Sequence, residues 1–271
     1  MSFASPVALV LGAIKGIGKR IGIGLADAGY RVVFNWFDWE DDLPSLAEDL
    51  APFGDGVWIR RTNLLDHKAV GELVEAVINH YGRLDVLVNN IERGGWPVVH
   101  GPYVPEQWDL EMATTLKAKW WVFDAALPHL KASGNGCVIN LSSIAGIVGR
   151  SGPAGLVFND AYAAANRAVS SFTENWARLG APEVRVNEIM LGFFDTRHGK
   201  GTRGWKILSK GQRDALKAHT PLNRAGSLDD VFKAVWFLIQ DAPFMTGGVI
   251  RLDGGYVLGG DAVGDMPGGV L

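Results

Sequence analysis

The chain predicts an α/β fold, a doubly wound parallel sheet in one domain with helices on both faces. Three observations carry that expectation: apolar runs of strand length, helical periodicity between them, and a glycine-rich turn directly after the first run.

The runs are Val7–Leu11, Arg31–Asn35, Val57–Arg60, Leu84–Asn89, Cys137–Leu141, Val184–Met190 and Val249–Leu252. Their near-continuous hydrophobicity suits strands covered on both faces. Between the first two, Ile17 to Ala28 carries apolar residues at helical spacing and ends at Gly29, a natural C-terminal stop. Asp66 can cap a helix running to Tyr81, which stops at Gly82. Longer helices are expected over Pro105–Lys131 and Asp160–Leu179, and Ser227 or Asp229 opens another. Such strand–helix alternation from end to end argues for one domain over residues 1–271. Residues 197–220 contain no strand and follow a strand's C-terminal end, so they read as a substrate lid or a surface excursion. The glycine-rich stretch 255–271 reads as a docking tail or a disordered end.

Composition narrows the function. Hydrophobic residues make up 48% and charged residues 20%, enough for a sizeable core. A net charge of −3 gives no reason to expect nucleic acid or an anionic membrane as partner. The single cysteine, Cys137, excludes an intrachain disulfide and reads as a buried strand thiol. The apolar run Pro6 to Ile14 is too short to span a bilayer and lacks the flanks of a signal peptide. A cytoplasmic protein is the default expectation.

In Val7-Ala-Leu-Val-Leu-Gly12-Ala-Ile-Lys15-Gly16-Ile17-Gly18 a strand runs through a turn into a helix. Glycines there let the backbone approach a pyrophosphate, and the helix N-terminus offers free N–H groups. This is the Rossmann-type signature of a dinucleotide site. A free ribose 2′-OH is usually held by an acid ending the second strand, whereas a 2′-phosphate needs cations. That strand ends Phe34-Asn35-Trp36 without an acid, and Lys15 lies in the turn. Both favour NADP(H) over NAD(H). Asp38 and Glu40, close behind, oppose it. Further on, Asn140-Leu-Ser-Ser143 ends an apolar strand in hydroxyls, and Tyr162-Ala-Ala-Ala-Asn166 places a phenol and an amide one turn apart on one helix face.

In order and spacing these motifs resemble the short-chain dehydrogenase/reductase family over nearly the whole chain. The resemblance implies that Gly12, Lys15, Gly16, Ile17, Gly18 and Asn35 hold the nucleotide, and that Asn63 and Leu64 contact adenine. Asn89 and Asn90 match the start of an Asn-Asn-Ala-Gly turn. Ser143 and Tyr162 match the catalytic serine and tyrosine. Gly192, Phe194 and Thr196 match the loop that contacts the nicotinamide amide, and Leu252-Asp-Gly-Gly255 the last strand signature. It implies a homodimer or homotetramer, a small-molecule substrate and no metal.

The chain departs from the family pattern at informative places. Leu11 stands where threonine is usual, Ile91-Glu92 where alanine and glycine are usual, and Thr115 where the catalytic asparagine belongs. Asn166 replaces the lysine that partners the tyrosine and holds the nicotinamide ribose. Asn166 can still donate to a ribose hydroxyl but brings no charge. A phenol titrates near about 10, and an adjacent cation would lower that by roughly one to three units. Without one, Tyr162 is expected to stay protonated at neutral pH, suited to giving a proton in reduction rather than taking one in oxidation. Arg93, Arg150, Arg167 and Lys119 are alternative cations; Lys119, one turn beyond Thr115, is the best placed, although a solvated surface charge is the reading favoured for each.

Ser143 and Tyr162 are 19 residues apart, longer than the family's dozen or so, and the insert Val148–Asp160 is expected over the substrate. Asp160 reads as an acid–base group or, more simply, as the cap of the Tyr162 helix. Glu92 and Arg93 also enter the site region, where a salt-bridged loop explains them. Trp96, Trp108, Trp120, Trp121, Trp176 and Trp205 either line a large apolar pocket or belong to core and interface. The function this supports is NAD(P)H-dependent reduction of a carbonyl or activated double bond. Two alternatives remain open: a non-redox isomerase, lyase or cyclase, and a nucleotide-binding sensor with little turnover.

Overall fold

Four short apolar segments in the first ninety residues, Val7–Val10, Arg31–Trp36, Val57–Arg61 and Val86–Asn89, form strands β1 to β4 in a computed structural model of the chain. The structure describes residues 5–91, 105–196, 208–261 and 263–266. Strands β5 (Gly136–Ser143), β6 (Val184–Leu191) and β7 (Val249–Leu252) complete one seven-stranded sheet in the order β3-β2-β1-β4-β5-β6-β7. Every neighbouring pair is parallel. The chain reverses its direction of winding between β1 and β4, and open α/β sheets bind ligands at such a point, beyond the carboxyl ends of the strands.

The sheet is covered on both faces, as the continuous hydrophobicity of its strands requires. On one face, helix α1 (Gly16–Asp27), α2 (Leu43–Leu50) and α9 (Leu228–Trp236) bury Ile21, Leu25, Leu46 and Val231 against Val10, Phe34 and Ile139. On the other, α3 (His67–Tyr81), α5 (Ala118–Ala132) and α7 (Asp160–Gly180) bury Leu73, Phe123 and Trp176 against Leu9, Leu87 and Val186. Gly22 and Gly24 set how closely α1 packs. A Cβ on either would lie 2.3 Å from a ring carbon, of Phe34 or Phe232 respectively.

Local signals decide the helix ends. Asp66 Oδ1 accepts from the N–H groups of Lys68 and Ala69 at 2.9 and 3.3 Å, and Gly82 closes α3 at φ +79°. Ser227, not Asp229, caps α9, in a reciprocal capping box with Asp230. The expected Pro105–Lys131 helix is interrupted. Helix α4 (Pro105–Met112) passes through a π-helical turn at Ala113–Lys117 before α5 begins. Such turns are rare and cluster at functional sites. The short α6 (Ala145–Val148) and α8 (Lys210–Ala218) complete the helices used below; α8 lies in the expected lid, whose residues 197–207 are outside the described ones.

Candidate active site

The glycine turn is built for a close neighbour. Gly12 adopts φ +61°, and a Cβ there would sit 2.4 Å from Asn90 O. A Cβ on Gly18 would sit 2.3 Å from Gly12 O and 2.6 Å from Asn90 Nδ2. Asn90 Nδ2 donates to Gly12 O at 3.0 Å, stitching the end of β4 to the turn. Gly16, by contrast, has φ +56° and open space where its Cβ would be. The residue before α1, Lys15, forms no side-chain cap, so the helix keeps unsatisfied N–H groups at Gly16, Ile17 and Gly18. An uncapped N-terminus beside open space fits a pyrophosphate.

The tip of β2 holds the cations. Lys15 Nζ is 2.7 Å from Asp42 and lies over the Trp39 ring at 3.6 Å. The Arg61 guanidinium lies over Trp36 and Phe37 at 5.2 and 5.5 Å. Arg61 carried no sequence motif; the register Trp36↔Arg61 between β2 and β3 brings it there. Asn35 is buried and accepts from Ala13 N through its carbonyl at 2.8 Å. Asn63 Oδ1 accepts from Leu65 N, and the Leu64 side chain is core.

Ser143, Tyr162, Thr115 and Asn166 come from three separate elements. Ser143 ends β5, and its Oγ accepts from Ala145 N at 3.1 Å, capping the turn into α6. That turn is pressed onto α7. A Cβ on Gly146 would lie 2.8 Å from Arg167 N and 3.0 Å from Asn166 C, so only glycine lets the serine's turn approach the tyrosine's helix. Asn159, not Asp160, caps α7, accepting from Tyr162 N at 2.8 Å; Asp160 is exposed and 3.9 Å from Arg150. Thr115 lies in the π turn and donates to Glu111 Oε1 at 2.6 Å, both side chains buried. Asn166 is fully buried. Its Nδ2 donates to Tyr162 O at 2.9 Å, and among the described residues nothing donates to its Oδ1. In this geometry the amide hydrogens face the helix's own backbone.

A ladder of rings leads away from the phenol. Phe158 lies 5.6 Å from Tyr162, Phe193 5.2 Å from Phe158, and Tyr256 4.8 Å from Phe193. They come from the insert before α7, the loop after β6 and the turn after β7, and they join Ile144, Ala154, Met190 and Leu216 in a third apolar cluster. Gly192 must be glycine for that assembly, since its Cβ would meet Asp253 Cα at 2.6 Å. Phe194 bridges to Gly226, and Thr196 N donates to Phe194 O.

Related proteins match the chain over nearly its whole length. A family model described as enoyl-(acyl carrier protein) reductase matches residues 12–257. The chain belongs to the short-chain dehydrogenase/reductase family. It is an NAD(P)H-dependent oxidoreductase. It is 36% identical over 254 residues to a protein assigned as ketoacyl reductase 2 of the granaticin polyketide synthase of Streptomyces violaceoruber, covering 93% of this chain and 96% of that one. With the 3-oxoacyl-(acyl-carrier-protein) reductase FabG of Thermotoga maritima it shares 32% identity over 262 residues, 95% of this chain and all of the relative. The NADPH-dependent 3-quinuclidinone reductase of Rhodotorula rubra superposes with a TM-score of 0.80 at 29% identity, covering 93% and 91% of the two chains.

Beneath the site of this family member runs a buried polar seam that sequence reading missed. Asn89 Nδ2 donates to Asn140 Oδ1 at 2.8 Å, and Asn140 Nδ2 to Thr173 Oγ1 at 2.9 Å. Ser142 Oγ donates to Glu188 Oε1, which also accepts from Ser170 Oγ at 3.2 Å. Lys119, expected as a solvated charge, is fully buried because α5 turns that face onto β5; Arg150 and Arg167 are exposed as expected. Asn89 thus braces the strands, and only Asn90 reaches the glycine turn. The π turn at Ala113–Lys117 shifts the helix register ahead of Lys119, so helical spacing alone does not mark it as inward-facing.

Desolvation raises the Glu188 pKa above the ordinary carboxyl range, countered in part by the bonds from Ser142 and Ser170 and by the Lys119 ammonium. A raised folded pKa contributes stability below the unfolded value, and that stability is lost as pH rises through the folded value. Glu188→Gln, which cannot ionise, should therefore gain in melting temperature relative to the wild type as pH rises from the acid range towards neutrality. A constant difference between the two proteins over that range would count against a carboxyl that resists ionisation. Burial also pushes the Cys137 thiol up to about 11, so it stays protonated, as a strand thiol should. Among the described residues no group of three or more His, Cys, Asp or Glu side chains is arranged to hold a metal, and no helix is long and apolar enough to cross a membrane. Trp176 is core, stacked on Phe123 and Phe172, whereas Trp108 and Trp120 are exposed; Trp96, Trp205, Glu92 and Arg93 lie outside the described residues.

Proposed function

We propose that this chain reduces the ketone of a bulky, apolar or aromatic small molecule with NADPH. The observation that carries the reading is Gly146, which locks the Ser143 turn against α7 at Asn166–Arg167 and so brings the hydroxyl strand end to the tyrosine helix. The nucleotide lies along the glycine turn, its pyrophosphate on the N–H groups of Gly16, Ile17 and Gly18. Lys15 and Arg61 flank the 2′-phosphate at the tip of β2, where neither Asn35 nor Trp36 brings an acid. Asn63, Leu64 and Asn90 border the adenosine half, and Gly192, Phe194 and Thr196 the nicotinamide half. When bound, the nicotinamide supplies the hydride.

Ser143 orients the substrate oxygen and Tyr162 gives it a proton. Asn166 occupies the position of the family's lysine without its charge, and Thr115 that of the catalytic asparagine. Asn166 gives its amide bond to Tyr162 O and Thr115 its hydroxyl to Glu111, so neither brings a cation to the phenol. A protonated phenol serves reduction and is a poor base for oxidation. The ring ladder Phe158, Phe193 and Tyr256 supplies an apolar wall beside the phenol, suited to an acyl or aromatic body. The chain acts as one domain and assembles as a homodimer or homotetramer through α7, whose exposed side carries Ala164 and Ser171.

Titration with NADPH and NADH, followed by fluorescence, tests the cofactor. Tighter binding of NADPH, weakened by Arg61→Ala, is expected. Incubation with a panel of aliphatic and aromatic ketones then separates a reductase from a sensor. Absence of NADPH binding sinks the reading, and binding without consumption across the panel turns it towards a sensor.

A further inference from the structure

The buried seam behind β5 has a chemistry of its own. Lys119 Nζ donates to Leu141 O at 2.8 Å from a fully buried position. Its ammonium is near enough to Glu188 to act on that carboxyl, which is itself fully buried. Lysine is almost never fully buried unless paired, because removing its charge from water is costly. Several members of the seam also adjoin a residue of the reductase reading. Lys119 is one turn beyond Thr115, Ser170 one turn beyond Asn166, and Leu141 and Ser142 lead directly into Ser143. With a rise of about 3.3 Å per residue, the carbonyl that holds the ammonium is roughly 7 Å along the strand from Ser143. In a water-excluded interior a charge acts over that distance with little screening.

We infer that Lys119 is a positioning residue that supplies, from α5, positive field otherwise missing at position 166. The inference rests on the reductase reading. Leu141 O, together with the Glu188–Ser142–Ser170 cluster, fixes the ammonium behind the strand that carries Ser143. There it favours negative charge developing on the substrate oxygen as hydride arrives. The side chain touches no reacting atom; it acts through the β5 end and the electrostatics of the site.

The test uses the full chain and a ketone that the wild type reduces. Lys119→Met is made together with Glu188→Gln, so that Glu188 is not left as a carboxylate without that ammonium. The double variant should bind NADPH like the wild type and keep KM, while kcat falls on the order of tenfold, less than for loss of a direct donor. Adding Asn166→Lys should restore most of that loss, a larger gain in reduction rate than the same substitution gives in the wild type. A folded double variant with wild-type kcat overturns the inference, as does an Asn166→Lys effect of equal size in both backgrounds. A wild type that neither binds NADPH nor reduces any ketone removes the reductase reading first and the inference with it.

Discussion

Tyr162→Phe should lower ketone reduction by on the order of 10² to 10⁴, the range that a positioned general acid contributes. NADPH affinity should be unchanged, because the lost hydroxyl is on the substrate side. Asn159 still caps the helix, and the remaining ring keeps its place 5.6 Å from Phe158, so the fold should survive. Single-turnover measurement of nicotinamide oxidation separates the two readouts. Near-wild-type turnover by the phenylalanine variant would mean that the proton comes from elsewhere. The companion change is Asn166→Lys. A cation at that place should lower the phenol pKa and make Tyr162 a better base. Alcohol oxidation should then gain more than ketone reduction, and equal gains would contradict the proposed direction.

Gly18→Ala should cost both stability and nucleotide. Its Cβ would meet Gly12 O at 2.3 Å and Ala13 Cα at 2.9 Å, and both are backbone atoms that cannot rotate away. Overpacking of this kind costs about 1 to 3 kcal/mol or more, and any relief shifts the turn on which the pyrophosphate rests. Gly16→Ala is the control. It clashes with nothing and bears only the left-handed strain, about 1 to 2 kcal/mol. The Gly18 variant should therefore melt lower than the Gly16 variant, and both should lose NADPH affinity, the second because its methyl group fills the open space. Equal melting temperatures would show that the turn yields more easily than its packing implies.

Much of this was legible in the sequence, for identifiable reasons. All seven strands lie where apolar runs lie, with ends displaced by at most two residues, since a strand covered on both faces must be apolar throughout. Asp66 and Gly82 act as read because capping is local chemistry. Where two neighbouring residues offered the same chemistry, as Asn159 and Asp160 do, the backbone conformation at the helix start chose between them. Arg61 gave no signal because its place depends on strand register, and the Phe158–Phe193–Tyr256 ladder gave none because its members are brought together from three loops.

The sequence by itself determined the alternating architecture, the glycine turn and the serine and tyrosine at their strand and helix. Periodicity, propensity and capping act over a few residues, and a linear chain displays them. Only the tertiary structure decided which way Lys119 faces and that Glu188 lies within the seam. Those outcomes depend on a π turn that rotates one helix and on contacts between residues 22 to 69 positions apart, whose free energy is set by burial.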